Sequence, residues 1–124
     1  MSKRILLIDD DPDIRAVAQI ALEKFNGWQV TTAESGADGL AQAGSDSFDG
    51  ILLDISMPDM DGFCVFANLQ ANARTRTIPV VLLTAKVLPS DRQRFAEMGV
   101  AGVIAKPFNP VTVGAQIASL MGWR

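Results

Sequence analysis

The sequence predicts an α/β domain whose parallel sheet is covered by helices on both faces. Three observations predict it. Short apolar runs alternate with helix-periodic stretches five times. The runs Ile5–Ile8, Ile51–Leu53 and Pro79–Leu83 are apolar throughout, as strands buried on both faces require. Turn residues and helix-start pairs separate the runs, so each strand passes quickly into a helix.

Taken in order, Ile5–Ile8 is the first strand, and Asp9, Asp10 and Asp11 follow it. Asp11 caps the first helix and Pro12 takes its first position. Ile14, Val17, Ala18, Ala21 and Phe25 give that helix its apolar face, and Gly27 ends it. Trp28–Ala33 is a half-buried second strand. Ser35-Gly36 opens a second helix with Leu40 and Ala43 inward and Gly44 at its close. Ile51–Leu53 is the third strand and runs straight into Asp54. Phe63, Phe66, Ala67 and Leu69 mark a third helix that ends near Asn72. Pro79–Leu83 is the fourth strand, with Thr84 at its exit. Ser90-Asp91 starts a fourth helix carrying Phe95, Ala96 and Met98, and Gly99 stops it. Gly102–Ala105 is the fifth strand, closed by Lys106-Pro107. Asn109-Pro110 starts the last helix, whose stripe is Val113, Ile117, Leu120 and Met121.

Composition bounds the function. The 124 residues fit one domain spanning 1–124, with no linker or low-complexity segment. Apolar residues make up 48%, which excludes a disordered chain. A formal net charge of -3 and no basic run argue against a nucleic-acid surface. The absence of His removes histidine acid–base chemistry and most zinc sites. No apolar segment reaches the roughly 18 residues of a membrane span, and Ile5–Ile8 is too short for a signal peptide. A soluble, cytoplasmic protein is expected. The single Cys64 forms no internal disulfide and is read as a small core residue.

Chemistry gathers at the strand exits. In a parallel sheet these share one edge, where ligands of open α/β proteins bind. Here the exits bring Asp9, Asp10, Asp54, Thr84 and Lys106 together. Three crowded carboxylates repel, each close pair costing ~4 kcal/mol at intermediate dielectric. Carboxylate oxygens suit Mg²⁺, which keeps waters and accepts a substrate phosphate. Thr84 can donate a hydrogen bond to a phosphoryl oxygen, and Lys106 can pair with its charge. Asp54, between metal and lysine, is the candidate nucleophile. Phosphoryl transfer needs mainly positioning and charge neutralisation, so this side requires no histidine. Taken singly, each residue has an ordinary explanation: Asp11 as a cap, Asp59 and Asp61 as loop and cap residues, Thr84 as a strand end, Lys106 as a solvated cation. The signal is their joint occurrence.

These residues match a known pattern. Ile8-Asp9-Asp10-Asp11-Pro12, the stretch Leu53–Gly62, Gly99-Val100-Ala101-Gly102, Leu83-Thr84-Ala85 and Ala105-Lys106-Pro107-Phe108 resemble the receiver domain of two-component response regulators, of the single-domain chemotaxis-regulator type. The resemblance covers essentially the whole chain. It implies a (βα)5 flavodoxin-like sandwich with strand order 2-1-3-4-5. It implies that Asp54 accepts a phosphoryl group from a histidine kinase or phosphotransfer protein. Asp9, through water, Asp10, Asp54 and the backbone carbonyl of Ser56 would hold Mg²⁺. Thr84 would move toward the phosphate, Lys106 would pair with it, and the Lys106-Pro107 bond would be cis. An output partner or domain, or a second copy, would meet the surface of the fourth helix, fifth strand and fifth helix. One departure stands out: Val103 occupies the place of an aromatic that swings inward in the family. Lys86, two residues past Thr84, is read first as an exposed lysine, with reach to the phosphate edge as the alternative.

Two alternatives compete. A Mg²⁺-dependent phosphatase or mutase with an aspartyl nucleophile would want an acid two residues on, where Ser56 stands. A flavodoxin-like cofactor binder would want a phosphate-cradling loop after the first strand, where three aspartates stand instead.

Overall fold

The computed structural model describes residues 2–85 and 89–123. Five parallel strands form one sheet in the order β2-β1-β3-β4-β5. The strands are β1 (Arg4–Ile8), β2 (Gln29–Ala33), β3 (Gly50–Asp54), β4 (Val80–Thr84) and β5 (Gly102–Ala105). The helices between and after them are α1 (Pro12–Asn26), α2 (Gly36–Ser45), α3 (Gly62–Ala71), α4 (Pro89–Met98) and α5 (Val113–Met121). The expected alternation and strand order are both present.

Alternation along each strand divides the core in two. Leu6, Ile8, Ile51, Leu53, Val80 and Leu82 face α2 and α3, where they meet Ala43, Val65, Phe66 and Leu69, with Phe95 of α4 on the same side. Ile5, Leu7, Leu52, Val81, Leu83 and Ile104 face α1 and α5, where they meet Ala18, Leu22, Val113 and Ile117. Every residue of β3 and β4 is buried, which accounts for their continuous apolar runs.

The α1 signals act as read. Asp11 accepts from the amides of Asp13 and Ile14, Pro12 begins the helix, and Gly27 turns left-handed at φ 68°. The amides of Gly27 and Trp28 then return to the carbonyls of Glu23 and Leu22. The buried stripe is narrower than expected, however. Ala18, Ala21 and Leu22 are inside, whereas Val17 and Phe25 are 43% and 54% exposed.

Three other expectations are corrected. Gly44 does not close α2; it keeps a negative φ and the helix runs on to Ser45, where the amide of Asp46 returns to the Gln42 carbonyl. Asn109-Pro110 does not begin α5. Asn109 builds a turn, its side chain accepting from Val111 and its carbonyl from Thr112 and Val113, and the helix starts at Val113. Cys64 is exposed, not core. The inward face of α3 is Gly62, Val65, Phe66 and Leu69, at helical spacing, and Cys64 points away from it.

At the amino edge of the sheet, Trp28 and Trp123 pack edge to face with ring centroids 5.4 Å apart. Lys3 Nζ lies 4.9 Å from the Trp123 ring. Arg4 forms a two-pronged pair with Asp46, at 2.9 and 2.6 Å. No helix among the described residues is long and apolar enough to cross a membrane.

Candidate functional site

The opposite, carboxyl edge assembles the acidic residues. Asp9 follows β1 directly, and its amide still donates to the Ala33 carbonyl of β2 at 3.1 Å. This last ladder bond holds its side chain in the sheet's shadow, where the residue is fully buried. Asp9 Oδ1 accepts from the Asp11 amide at 2.9 Å. Its buried Oδ2 forms an ion pair with Lys106 Nζ at 2.8 Å. Asp10 is exposed beside it.

Asp54 is the last residue of β3, in register with Leu83 of β4, and is 4% exposed. Its Oδ1 accepts from Lys106 Nζ at 3.1 Å. Lys106 reaches both carboxylates because its backbone amide donates to the Thr84 carbonyl at 2.8 Å, extending the β4–β5 ladder by one bond. The Lys106–Pro107 peptide is cis, as expected.

Asp9, Asp10 and Asp54 can each present an oxygen within 4.8 Å of the others. Lys106 offsets one of their three negative charges, leaving two. Burial alone pulls the Lys106 ammonium down, but the carboxylates of Asp9 and Asp54 outweigh it and raise its pKa above the usual 10.5. Three carboxylates gathered around a single lysine ammonium, with an all-oxygen donor set, fit a hard divalent cation. Ser56 is exposed and lines the same cleft, about 430 Å³, together with Asp9, Asp10, Asp54, Ala85 and Lys106. A larger cavity of about 520 Å³ lies between α4 and β5 and is lined by Arg92, Phe95, Val103 and Gln116 among others. Among the described residues it is lined by one cation and no carboxylate, so the acid–lysine chemistry belongs to the smaller cleft.

The sequence-predicted residues therefore meet with one qualification. Thr84 is buried at the exit of β4, in register with Ala105, and Ala85 rather than Thr84 lines the cleft. Lys86 lies outside the described residues. Sequence reasoning missed Arg15, whose Nη1 donates to the Asp9 carbonyl at 2.8 Å. Its signal was its place one helical turn after Asp11, which aims it back at the acidic loop.

Fold and cleft together define an open parallel α/β protein with an acid–lysine centre at its carboxyl edge. The chain belongs to the response regulator receiver domain family, whose model matches residues 5–118. It is similar to the response regulator PleD of Caulobacter vibrioides, 41% identical over 122 residues, covering 97% of this chain and 26% of PleD. It is also similar to the phosphate regulon transcriptional regulatory protein PhoB of Escherichia coli, 37% identical over 121 residues, covering 98% of this chain and 52% of PhoB. The chain thus spans about half or less of the length of these relatives. Among solved structures, the chemotaxis protein CheY4 of Vibrio cholerae superposes with a TM-score of 0.89 at 30% identity, covering 97% of this chain and 99% of that one. The receiver domain of the sensor histidine kinase PA1611 from Pseudomonas aeruginosa, solved with magnesium coordinated in its active site cleft, gives a TM-score of 0.85 at 28% identity, with 98% and 99% covered.

Proposed function

We propose that this domain, residues 1–124, is a phosphorylation-driven switch in which Asp54 takes the phosphoryl group. The observation that carries this reading is the convergence of Asp9, Asp10 and Asp54 on one cleft with Lys106 paired to two of them. An Asp54 carboxylate oxygen attacks phosphorus and forms an O–P bond. The P–N bond of the donor phosphohistidine breaks, and its electron pair stays on the imidazole nitrogen.

Asp9, Asp10, Asp54 and the Ser56 carbonyl would hold Mg²⁺. When bound, the ion supplies positive charge against the carboxylates and the incoming phosphoryl oxygens. Lys106, already between Asp9 and Asp54, pairs with the phosphoryl group on the opposite side. The Thr84 hydroxyl is one strand exit away and donates to a phosphoryl oxygen after a local movement. The phosphate's charge and acceptor oxygens then bias the surface. The partner that delivers the phosphoryl group is a histidine kinase or phosphotransfer protein. The partner that reads it, an output domain, another protein or a second copy, meets α4, β5 and α5. With Val103 lining the cavity there, an aromatic side chain is not what relays the change.

The domain catalyses only its own phosphorylation and dephosphorylation in this reading. The phosphatase alternative lacks its second acid, since Ser56 stands two residues past Asp54. Incubation with a small acyl phosphate and Mg²⁺, followed by intact-protein mass spectrometry, tests the assignment. Labelling of the parent with none in Asp54→Asn supports it, and equal labelling of both refutes it.

A further inference from the structure

We propose that Asp59 is a positioning residue that fixes the loop bearing Ser56 by clamping it to the start of α2. This rests on the reading of the cleft given above. Asp59 sits in the loop between β3 and α3, yet its carboxylate caps a different helix. Oδ1 accepts from the Gly36 amide at 3.1 Å and Oδ2 from the Ala37 amide at 3.2 Å. The Asp38 amide is served separately by Ser35 Oγ at 3.1 Å. Cross-element capping puts a negative charge at the positive end of α2. The Gly36 and Ala37 amides accordingly hold the Asp59 carboxyl below the ordinary range.

The loop is otherwise held at its neck. The Gly62 amide donates to the Ile55 carbonyl at 2.8 Å. Met57 is buried at 6% exposure, and Met60 packs so closely on α2 that a Cβ added at Gly36 would stand 2.9 Å from its Cβ. Those apolar contacts hold the loop near the helix without direction. The two charge-assisted hydrogen bonds of Asp59 add the direction. Ser56 lies between neck and clamp, so its carbonyl is aimed by both.

The test compares Asp59→Ala, Asp59→Asn and Ser35→Ala. The last removes a cap from the same helix without touching the loop, so it reports helix weakening alone. Calorimetric titration of the parent with Mg²⁺ checks the cleft reading itself. Asp59→Ala is expected to raise the Mg²⁺ Kd roughly fivefold, Asp59→Asn by less, and Ser35→Ala by under about twofold. In the metal-free proteins, hydrogen exchange at the Ser56, Met57 and Met60 amides is expected to quicken in Asp59→Ala and not in Ser35→Ala. Equal loop exchange in Asp59→Ala and Ser35→Ala would overturn the proposal, as would equal Mg²⁺ affinities. A parent that fails to bind Mg²⁺ would refute the cleft reading, and the loop exchange would still decide the clamp.

Discussion

Lys106 and Asp54 lie 52 positions apart in the chain and meet at 3.1 Å. The backbone makes that meeting. Asp54 closes β3, Lys106 follows β5, and β4 between them lends the Thr84 carbonyl to the lysine's amide. The pair needs no long loop, only three parallel strands ending at one level.

If Asp54 is the phosphoryl acceptor, Asp54→Asn removes the nucleophile and keeps the shape. The variant is expected to fold with the parent's circular dichroism and to show no mass gain with an acyl phosphate and Mg²⁺. A mass gain equal to the parent's would move the acceptor elsewhere.

Lys106→Ala leaves Asp9 and Asp54 without their cation. With the lysine side chain 17% exposed, the loss is expected to be about 1–3 kcal/mol in urea unfolding of the metal-free protein. Mg²⁺ should narrow that gap, because the variant has lost the ammonium that competes for the same carboxylates and gains more from binding the ion. The pair's contribution depends on pH with a definite sign. Because the folded Lys106 pKa is raised, the contribution is complete below about pH 10 and is lost as pH climbs through the folded value. Parent and variant should converge at strongly alkaline pH.

The Arg4–Asp46 pair makes the opposite prediction. The Arg4 guanidinium, first by hydrogen bonding, and the Ser47 amide lower the Asp46 pKa to about 2. A depressed carboxyl stabilises the fold above its ordinary value of 3.8 and loses that contribution as pH falls toward about 2. Melting curves of Asp46→Asn should lie below the parent's at neutral pH and meet them at the acid end. A constant offset down to pH 2 would reject the linkage.

Gly62 has no room for a side chain. A Cβ there would lie 2.7 Å from Ile55 Cα and 2.8 Å from the Asp54 carbonyl oxygen, both backbone atoms that cannot step aside. Gly62→Ala is expected to cost about 1–3 kcal/mol in denaturant unfolding and to slow phosphorylation by shifting Asp54. Parental stability and rate together would show that the neck yields.

Much of this fold and site is legible in the sequence. Strand exits are readable because an apolar run must stop where its first buried charge stands, as at Asp9 and Asp54. Asp11, Pro12 and Gly27 are readable because capping is local. Gly44 and Asn109 misled because glycine and the Asn-Pro pair serve more than one backbone conformation, and only the neighbouring turn chooses. Cys64 misled because composition says nothing of which helical face turns inward. The Asp59 clamp was hidden for a different reason. It joins the β3–α3 loop to the start of α2, and their spacing exists only after folding.

The aromatic contact at the amino edge has a practical consequence for spectroscopy. Both indoles of the protein, Trp28 and Trp123, sit at the end of the sheet opposite the acidic cleft, roughly 15 Å away by the rise of a five-residue strand. Neither is a near neighbour of the cleft, so local quenching there leaves their emission unchanged. A change in fluorescence on phosphorylation would mean that the perturbation had crossed the full height of the sheet and disturbed the seat of the last helix.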